Sequence, residues 1–62
     1  MNLLEIAEEN IRKAELAAKE ADRAFEAGMN KLASTQMIKA FALLEGALSE
    51  LKLFIRDKKD VK

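Results

Sequence analysis

The side chains best suited to chemistry in this sequence are carboxylates, which concentrate in its first half. Glu5, Glu8 and Glu9 lie close together, and Glu8, Glu15 and Asp22 recur every seven residues. Two neighbouring carboxyl groups can act as general acid and general base where an apolar pocket makes their pKa values differ. This spacing instead places them on the polar faces of a helix, so we interpret them as solvated and predict that the chain is not an enzyme.

The sequence lacks the residues that other kinds of catalysis and cofactor binding require. The chain contains no Cys and no His, which excludes thiol chemistry, a Ser-His-Asp triad and the common zinc sites. Inward positions of the predicted helices carry Ala, Leu and Phe, which leaves no site for the di-iron centre that some helical bundles hold. Gly28 and Gly46 are isolated and form no phosphate loop. We therefore expect neither a metal nor a cofactor.

A basic C-terminal end is the remaining chemical feature, and its chemistry would be nucleic-acid binding. The cations are Arg56, Lys58, Lys59 and Lys62. Asp57 and Asp60 interrupt them, and we expect no aromatic side chain beside them for base stacking. Eleven acidic residues also balance eleven basic ones over the whole chain. A solubilising helix end that offsets the helix dipole is the favoured interpretation, with nucleic-acid contact as the alternative.

The composition is that of a small all-α protein. Half of the 62 residues are hydrophobic, many of them Ala, and Pro, Trp and Tyr are absent. A chain this short buries a marginal core, and without disulfides or a metal it needs a partner subunit or unusually close helix packing. No segment reaches the roughly 20 apolar residues of a membrane span. The start MNLLEIAEEN lacks the features of a signal peptide, so we expect a cytoplasmic protein with no membrane partner.

A first helix is predicted over residues 3–27, with Asn2 as its N-cap. Its apolar stripe alternates steps of three and four residues, through Leu4, Ala7, Ile11, Ala14, Ala18, Ala21, Phe25 and Gly28. The small members Ala7, Ala14, Ala21 and Gly28 are seven residues apart, which forms a ridge that lets another helix approach closely.

A second helix is predicted over residues 34–57, capped by Ser34 and followed by a frayed basic tail over 58–62. Its stripe is bulkier and comprises Met37, Phe41, Leu44, Leu48, Leu51 and Ile55. We expect these large side chains to fill the gaps along the alanine ridge of the first helix. The acidic start of the first helix would then lie beside the basic end of the second.

The chain reversal is predicted at Gly28, in the left-handed conformation, with a loop over residues 28–33. In an alternative reading the first helix continues to Leu32 and the chain reverses around 33–35. A single unbroken helix is a third reading, which would leave the apolar face of the second segment uncovered. The first two readings both give an antiparallel two-helix hairpin.

One spacing resembles a known repeat. Gly28, Ala40, Leu44 and Ala47 have spacings similar to the Gly, Ala, aromatic and Ala positions of a tetratricopeptide repeat. The aromatic residue near the start of that repeat and the Pro after it have no counterpart here. The resemblance implies a closely packed helical hairpin and a groove for a partner helix.

The chain carries more apolar surface than one hairpin can cover, which predicts self-association into a four-helix bundle. We assign the core and dimer interface to Phe41, Leu44, Leu48, Leu51, Ile55, Ala14, Ala21 and Gly28. Candidate partner-binding residues outside these stripes are Leu16, Leu43, Gly46 and Leu53.

The function predicted from this architecture is protein–protein interaction, as an adaptor, regulator or assembly factor that acts as a homodimer. A dimeric nucleic-acid-binding regulator that uses the basic end is the alternative, and an inactive fragment or designed bundle is a third reading. The sequence does not fix how two hairpins are oriented in a dimer.

Overall fold

The computed structural model describes residues 2–60, with side chains through residue 58. Within that range the chain forms two helices and no strand: α1 over Leu3–Glu26 and α2 over Asn30–Asp60. The helices pack against each other as an antiparallel hairpin about 54 Å long. The prediction of an all-α helical hairpin is confirmed, and the reading as one unbroken helix is wrong.

Both ends of α1 are closed by local hydrogen bonds. The Asn2 side chain accepts from the Glu5 backbone N–H at 2.9 Å, as predicted for the N-cap. At the other end, Gly28 adopts a φ of 77°, a left-handed conformation that residues with a Cβ rarely take. The Gly28 N–H then donates to the Phe25 carbonyl and the Met29 N–H to the Ala24 carbonyl. This pair is a Schellman motif, so the predicted turn at Gly28 is confirmed.

The loop is shorter than expected and α2 is longer. Three residues, 27–29, separate the helices, whereas the sequence predicts a loop over 28–33. The Ala33 N–H already donates to the Met29 carbonyl, and Ala33 is buried against the first helix, which holds the start of α2 in place. Ser34 therefore lies inside α2 and is not its cap. The predicted frayed tail is helical through Asp60, and the rest of it, residues 61 and 62, lies outside the described residues.

The seam between the helices is made of alanine on both sides. The buried residues in the described range are Ala7, Ala14, Ala17, Ala21, Ala24, Ala33, Ala40 and Ala47. Three of these in α1 and three in α2 recur every seven residues, so each helix presents a straight row of methyl groups. The expectation that bulky residues of the second helix would fill the alanine ridge is therefore wrong. Alanine meets alanine, which permits the closest approach of two helices.

Polar contacts add little to this seam. Asn10 Nδ2 donates to Glu50 Oε1 at 2.8 Å across the helices. Over the described residues the ion pair is Arg12 with Glu9, which lies within α1, so the expected pairing of the acidic start of α1 with the basic end of α2 is not formed. The helices are held together mainly by the contact of their alanine rows.

Candidate interaction surface

The most prominent surface of the hairpin is a continuous row of exposed apolar side chains on one side of the seam. We name it the apolar face, and it consists of Leu4, Ile11 and Phe25 from α1 with Met37, Phe41, Leu44, Leu48 and Ile55 from α2. Their exposed fractions run from 38% for Leu4 to 69% for Phe25 and Phe41. An exposed apolar area of this extent is characteristic of a protein interface.

A groove of about 520 Å³ opens in the apolar face near the loop. Phe25, Met37, Phe41 and Leu44 form its walls, and alanines of the seam form its floor. Asp22 is its acidic side chain, at the α1 edge. The groove exists because alanine in the seam leaves a trough between two lines of large side chains.

The residues predicted for the core and dimer interface separate into three groups. Ala14 and Ala21 are buried between the helices of the single hairpin. Phe41, Leu44, Leu48 and Ile55 lie exposed on the apolar face, and Leu51 is half-buried beside them. Gly28 belongs to neither group, because it lies exposed in the loop with open space around the position of a Cβ.

Two of the predicted partner-binding residues serve the hairpin itself. Leu43 is half-buried and packs against Ala14, Ala17 and Ala40. At Gly46 a Cβ would stand 3.5 Å from the Asn10 side-chain nitrogen, so this glycine faces α1. Both positions are therefore at least partly used by contacts within the hairpin.

The other two, Leu16 and Leu53, are exposed but do not form one patch. Leu16 lies six residues after Asn10, whereas Leu53 lies three residues after Glu50, its cross-seam partner. In an antiparallel pair these offsets point in opposite directions, which puts the two leucines more than about 13 Å apart along the axis. Each is therefore an isolated apolar side chain on the outer surface.

The basic end contains a feature that the sequence reading missed. Lys58 Nζ lies 5.6 Å from the centre of the Phe54 ring, one helical turn earlier, in a cation–π contact. An aromatic side chain thus does lie beside the basic residues, contrary to expectation. Arg56 is exposed, the Lys59 side chain lies outside the described part, and so does Lys62. The helical spacing of Phe54 and Lys58 was the signal that would have revealed this contact.

A second hollow, of about 290 Å³, lies near the loop and includes Gln36, Arg23 and Leu32. Gln36 Oε1 is buried there without a hydrogen-bond partner in the described structure. A buried polar oxygen with no donor is a cost to the fold. It marks a local imperfection of the hairpin and offers no constellation of reactive groups.

Comparison of the chain with protein-family models, curated proteins and solved structures found no match. The hairpin that the tetratricopeptide-like spacing implied is present, and its alanine rows explain it without that family. Neither helix, within the residues described, is long and apolar enough to cross a bilayer. The same residues contain no group of three acidic side chains placed to hold a metal ion.

Proposed function

We propose that this chain is a protein-interaction module whose working form is a homodimeric four-helix bundle, in which two hairpins meet through their apolar faces. The observation that carries the proposal is the burial pattern: alanines occupy the seam, while the large apolar side chains lie exposed on one face. A second hairpin supplies the matching apolar face that a symmetric dimer requires.

The accessible surface supports this proposal quantitatively. The chain exposes 5079 Å². A compact monomer of 6.9 kDa is expected to expose about 4,000 Å². The excess, about 1,000 Å² per chain, is close to the roughly 800 Å² that each partner buries in an interface of standard size.

The energetics of the seam also support a homodimer. Burial of an alanine methyl contributes about 0.8 kcal/mol, compared with about 1.5–3 kcal/mol for a complete Leu, Ile or Phe side chain. The single hairpin buries the former completely, but its large apolar side chains are only half-buried, as at Leu43 and Leu51, or mostly exposed, as on the apolar face. Its folding is therefore expected to depend on the second copy, so that the melting temperature rises with protein concentration.

Molar mass in solution is the decisive measurement. Sedimentation equilibrium at micromolar concentration should give twice 6.9 kDa, and a well-folded monomer would refute the proposal. Leu48→Lys should dissociate the dimer because Leu48 lies on the apolar face. Leu53→Lys is the matched control, since Leu53 lies on the same helix at similar exposure but outside that face, and it should leave the mass unchanged.

In this form the module would bind its target protein through the outer surface, where Leu16 and Leu53 stand among charged side chains. Dimerisation presents each of these residues twice, which raises the apparent affinity for a target with two matching sites. Adaptors and assembly factors use such duplicated contacts.

The second candidate is a dimeric nucleic-acid-binding regulator, and the Phe54–Lys58 contact is the observation that favours it. An aromatic ring beside Lys58 combines stacking with phosphate contact, although Phe54 is half-buried under the lysine. The test is a binding assay with mixed single-stranded RNA and DNA at low salt. Binding that falls steeply as salt rises would support this candidate, and no binding would remove it.

A further inference from the structure

We infer that the two hairpins of the dimer pack with both loops at the same end, so that α1 of each copy lies on α2 of the other. This inference rests on the proposed homodimer and concerns its arrangement. Two-fold symmetry allows two ways to join the apolar faces. In the first, the loops lie at the same end and α1 of each copy packs on α2 of the other. In the second, the loops lie at opposite ends, so that α1 packs on α1 and α2 packs on α2.

Heights along the hairpin follow from the Asn10 side-chain nitrogen, which contacts Glu50 and lies 3.5 Å from the position of a Cβ at Gly46. Asn10 is therefore level with the turn between these two residues, near Leu48. Because the helices are antiparallel, a step toward the C-terminus of α1 matches a step toward the N-terminus of α2. Each α1 residue of the apolar side therefore has a level counterpart in α2. To within about one residue, the level pairs on the apolar side are Leu4 with Ile55, Ile11 with Leu48, Ala18 with Phe41, and Phe25 with Ser34.

Side-chain size does not separate the two arrangements. With the loops together, each level pair becomes a contact between copies: Phe41 lies over Ala18 and Phe25 over Ser34, while Leu4 meets Ile55 and Ile11 meets Leu48. With the loops apart and the two copies fully overlapped, Phe41 faces Leu48 and Leu4 faces Phe25, while Ala18 meets Ile11 and Ser34 meets Ile55. Each arrangement therefore contains two contacts between large side chains and two between a large and a small one, so the choice rests on charge.

The net charge of the helices distinguishes the two arrangements. The α1 sequence carries seven acidic and four basic residues, whereas the α2 sequence carries four acidic and six basic residues. With the loops together, each acidic helix has two basic helices as neighbours. With the loops apart, each α1 lies against the other acidic α1. Opposite charges across an interface select between otherwise similar geometries.

Individual charged residues at the edge of the apolar face also favour the arrangement with the loops together. Glu8, Glu15 and Asp22 follow one another along the α1 edge, and Asp22 reaches the groove. With the loops together, Glu8 lies level with Lys52 of the other copy, while Glu15 meets Glu45. With the loops apart, Glu8 meets Asp22 of the other copy and Glu15 meets its own equivalent. With the loops together, these edge residues form one attractive and one like-charged pair per copy, whereas with the loops apart the pairs that they form are all repulsive.

Spin labels at a single loop cysteine test the arrangement directly. The chain has no native cysteine, and Ala27 is exposed in the loop, so Ala27→Cys gives one label per copy. Loops together predict a label separation of roughly 20 Å, while loops apart predict roughly 36 Å or more, the length of α1. The longer separation in a dimer would overturn this inference and leave the proposed homodimer intact. A monomeric wild-type chain would overturn both.

Charge-reversal substitutions give a second test, because their effect on the affinity of dimerisation has opposite signs in the two arrangements. With the loops together, Glu8→Lys removes two attractive pairs per dimer and should weaken dimerisation about threefold to tenfold. Lys52→Glu should do the same, and the double variant should restore the wild-type affinity. With the loops apart, Glu8→Lys would relieve its repulsion with Asp22 and strengthen the dimer, which would overturn the inference. Glu20→Lys is the matched control on the other side of α1.

Discussion

Asn10 and Glu50 form the side-chain hydrogen bond that joins the two helices in the described structure, with Nδ2 donating to Oε1 at 2.8 Å. The same nitrogen lies 3.5 Å from where a Cβ at Gly46 would stand. A polar pair in an otherwise alanine-lined seam contributes orientation, because its partners are satisfied at one relative position of the helices.

This pair should show measurable coupling. A double-mutant cycle with Asn10→Ala and Glu50→Ala is expected to give about 1 kcal/mol, the net value of a partly buried hydrogen bond. Urea unfolding at one fixed protein concentration measures it. The exposed Arg12–Glu9 pair provides the reference and should give under about 0.5 kcal/mol. Equal coupling in both cycles would show that the cross-seam bond has no special role.

The two glycines should respond in opposite directions to the same substitution. Gly46→Ala is expected to stabilise the fold by roughly 0.5–1 kcal/mol, because Gly46 is helical and its new Cβ would meet Asn10 at an ordinary contact distance. Gly28→Ala should destabilise it by about 1–2 kcal/mol, since the φ of 77° is strained for alanine. Thermal unfolding distinguishes the two, and a shift of the same sign in both variants would contradict the geometry.

The alanine seam should not tolerate larger side chains. Ala40→Leu places a bulky group between the helices and should cost about 1–3 kcal/mol through forced separation of the pair. Ala42→Leu makes the same change two residues away at an exposed position and should stay within about 0.5 kcal/mol of wild type. If Ala40→Leu proved as stable as Ala42→Leu, the seam would not lie where the structure puts it.

The orphaned oxygen of Gln36 predicts a stabilising substitution. Gln36→Met keeps the shape of the side chain and removes the buried polar group, so a gain of about 1 kcal/mol is expected. Gln36→Glu should be less stable than Gln36→Met, because it keeps a polar group at the buried position. Unfolding curves of the three proteins check the order, and a loss of stability in Gln36→Met would show that its amide has a partner in solution.

The sequence predicted the hairpin, the Asn2 cap and the left-handed turn at Gly28, because each depends on local chemistry. It did not predict the start of α2, since Asn30 and Ser34 are polar residues typical of loops. The burial of Ala33 against α1 holds that segment helical, and this is a tertiary contact without a local signature.

The more consequential error in the prediction concerned which of the two apolar rows of α2 contacts α1. Leu48 and Ala40 both lie on regular seven-residue repeats, and periodicity alone does not say which repeat contacts the other helix of the same chain. The expectation that large side chains fill the spaces left by small ones placed Leu48 in the row that contacts the first helix, within a combined core and dimer interface. In the structure, Ala40 occupies that seam and Leu48 faces outward. The large residues available to another molecule are therefore those that the pattern suggested were already buried.

The identical seven-residue spacing of alanines in both helices has a mechanical consequence. If α2 moved along α1 by one repeat, Ala40 would occupy the place that Ala33 or Ala47 holds now, and methyl groups would again meet methyl groups. The alanine rows by themselves are thus nearly indifferent to such sliding, which the three-residue connection at Gly28 and the Asn10–Glu50 hydrogen bond oppose. Inserting a flexible segment there should convert one register into several, visible as extra peaks in a heteronuclear NMR spectrum.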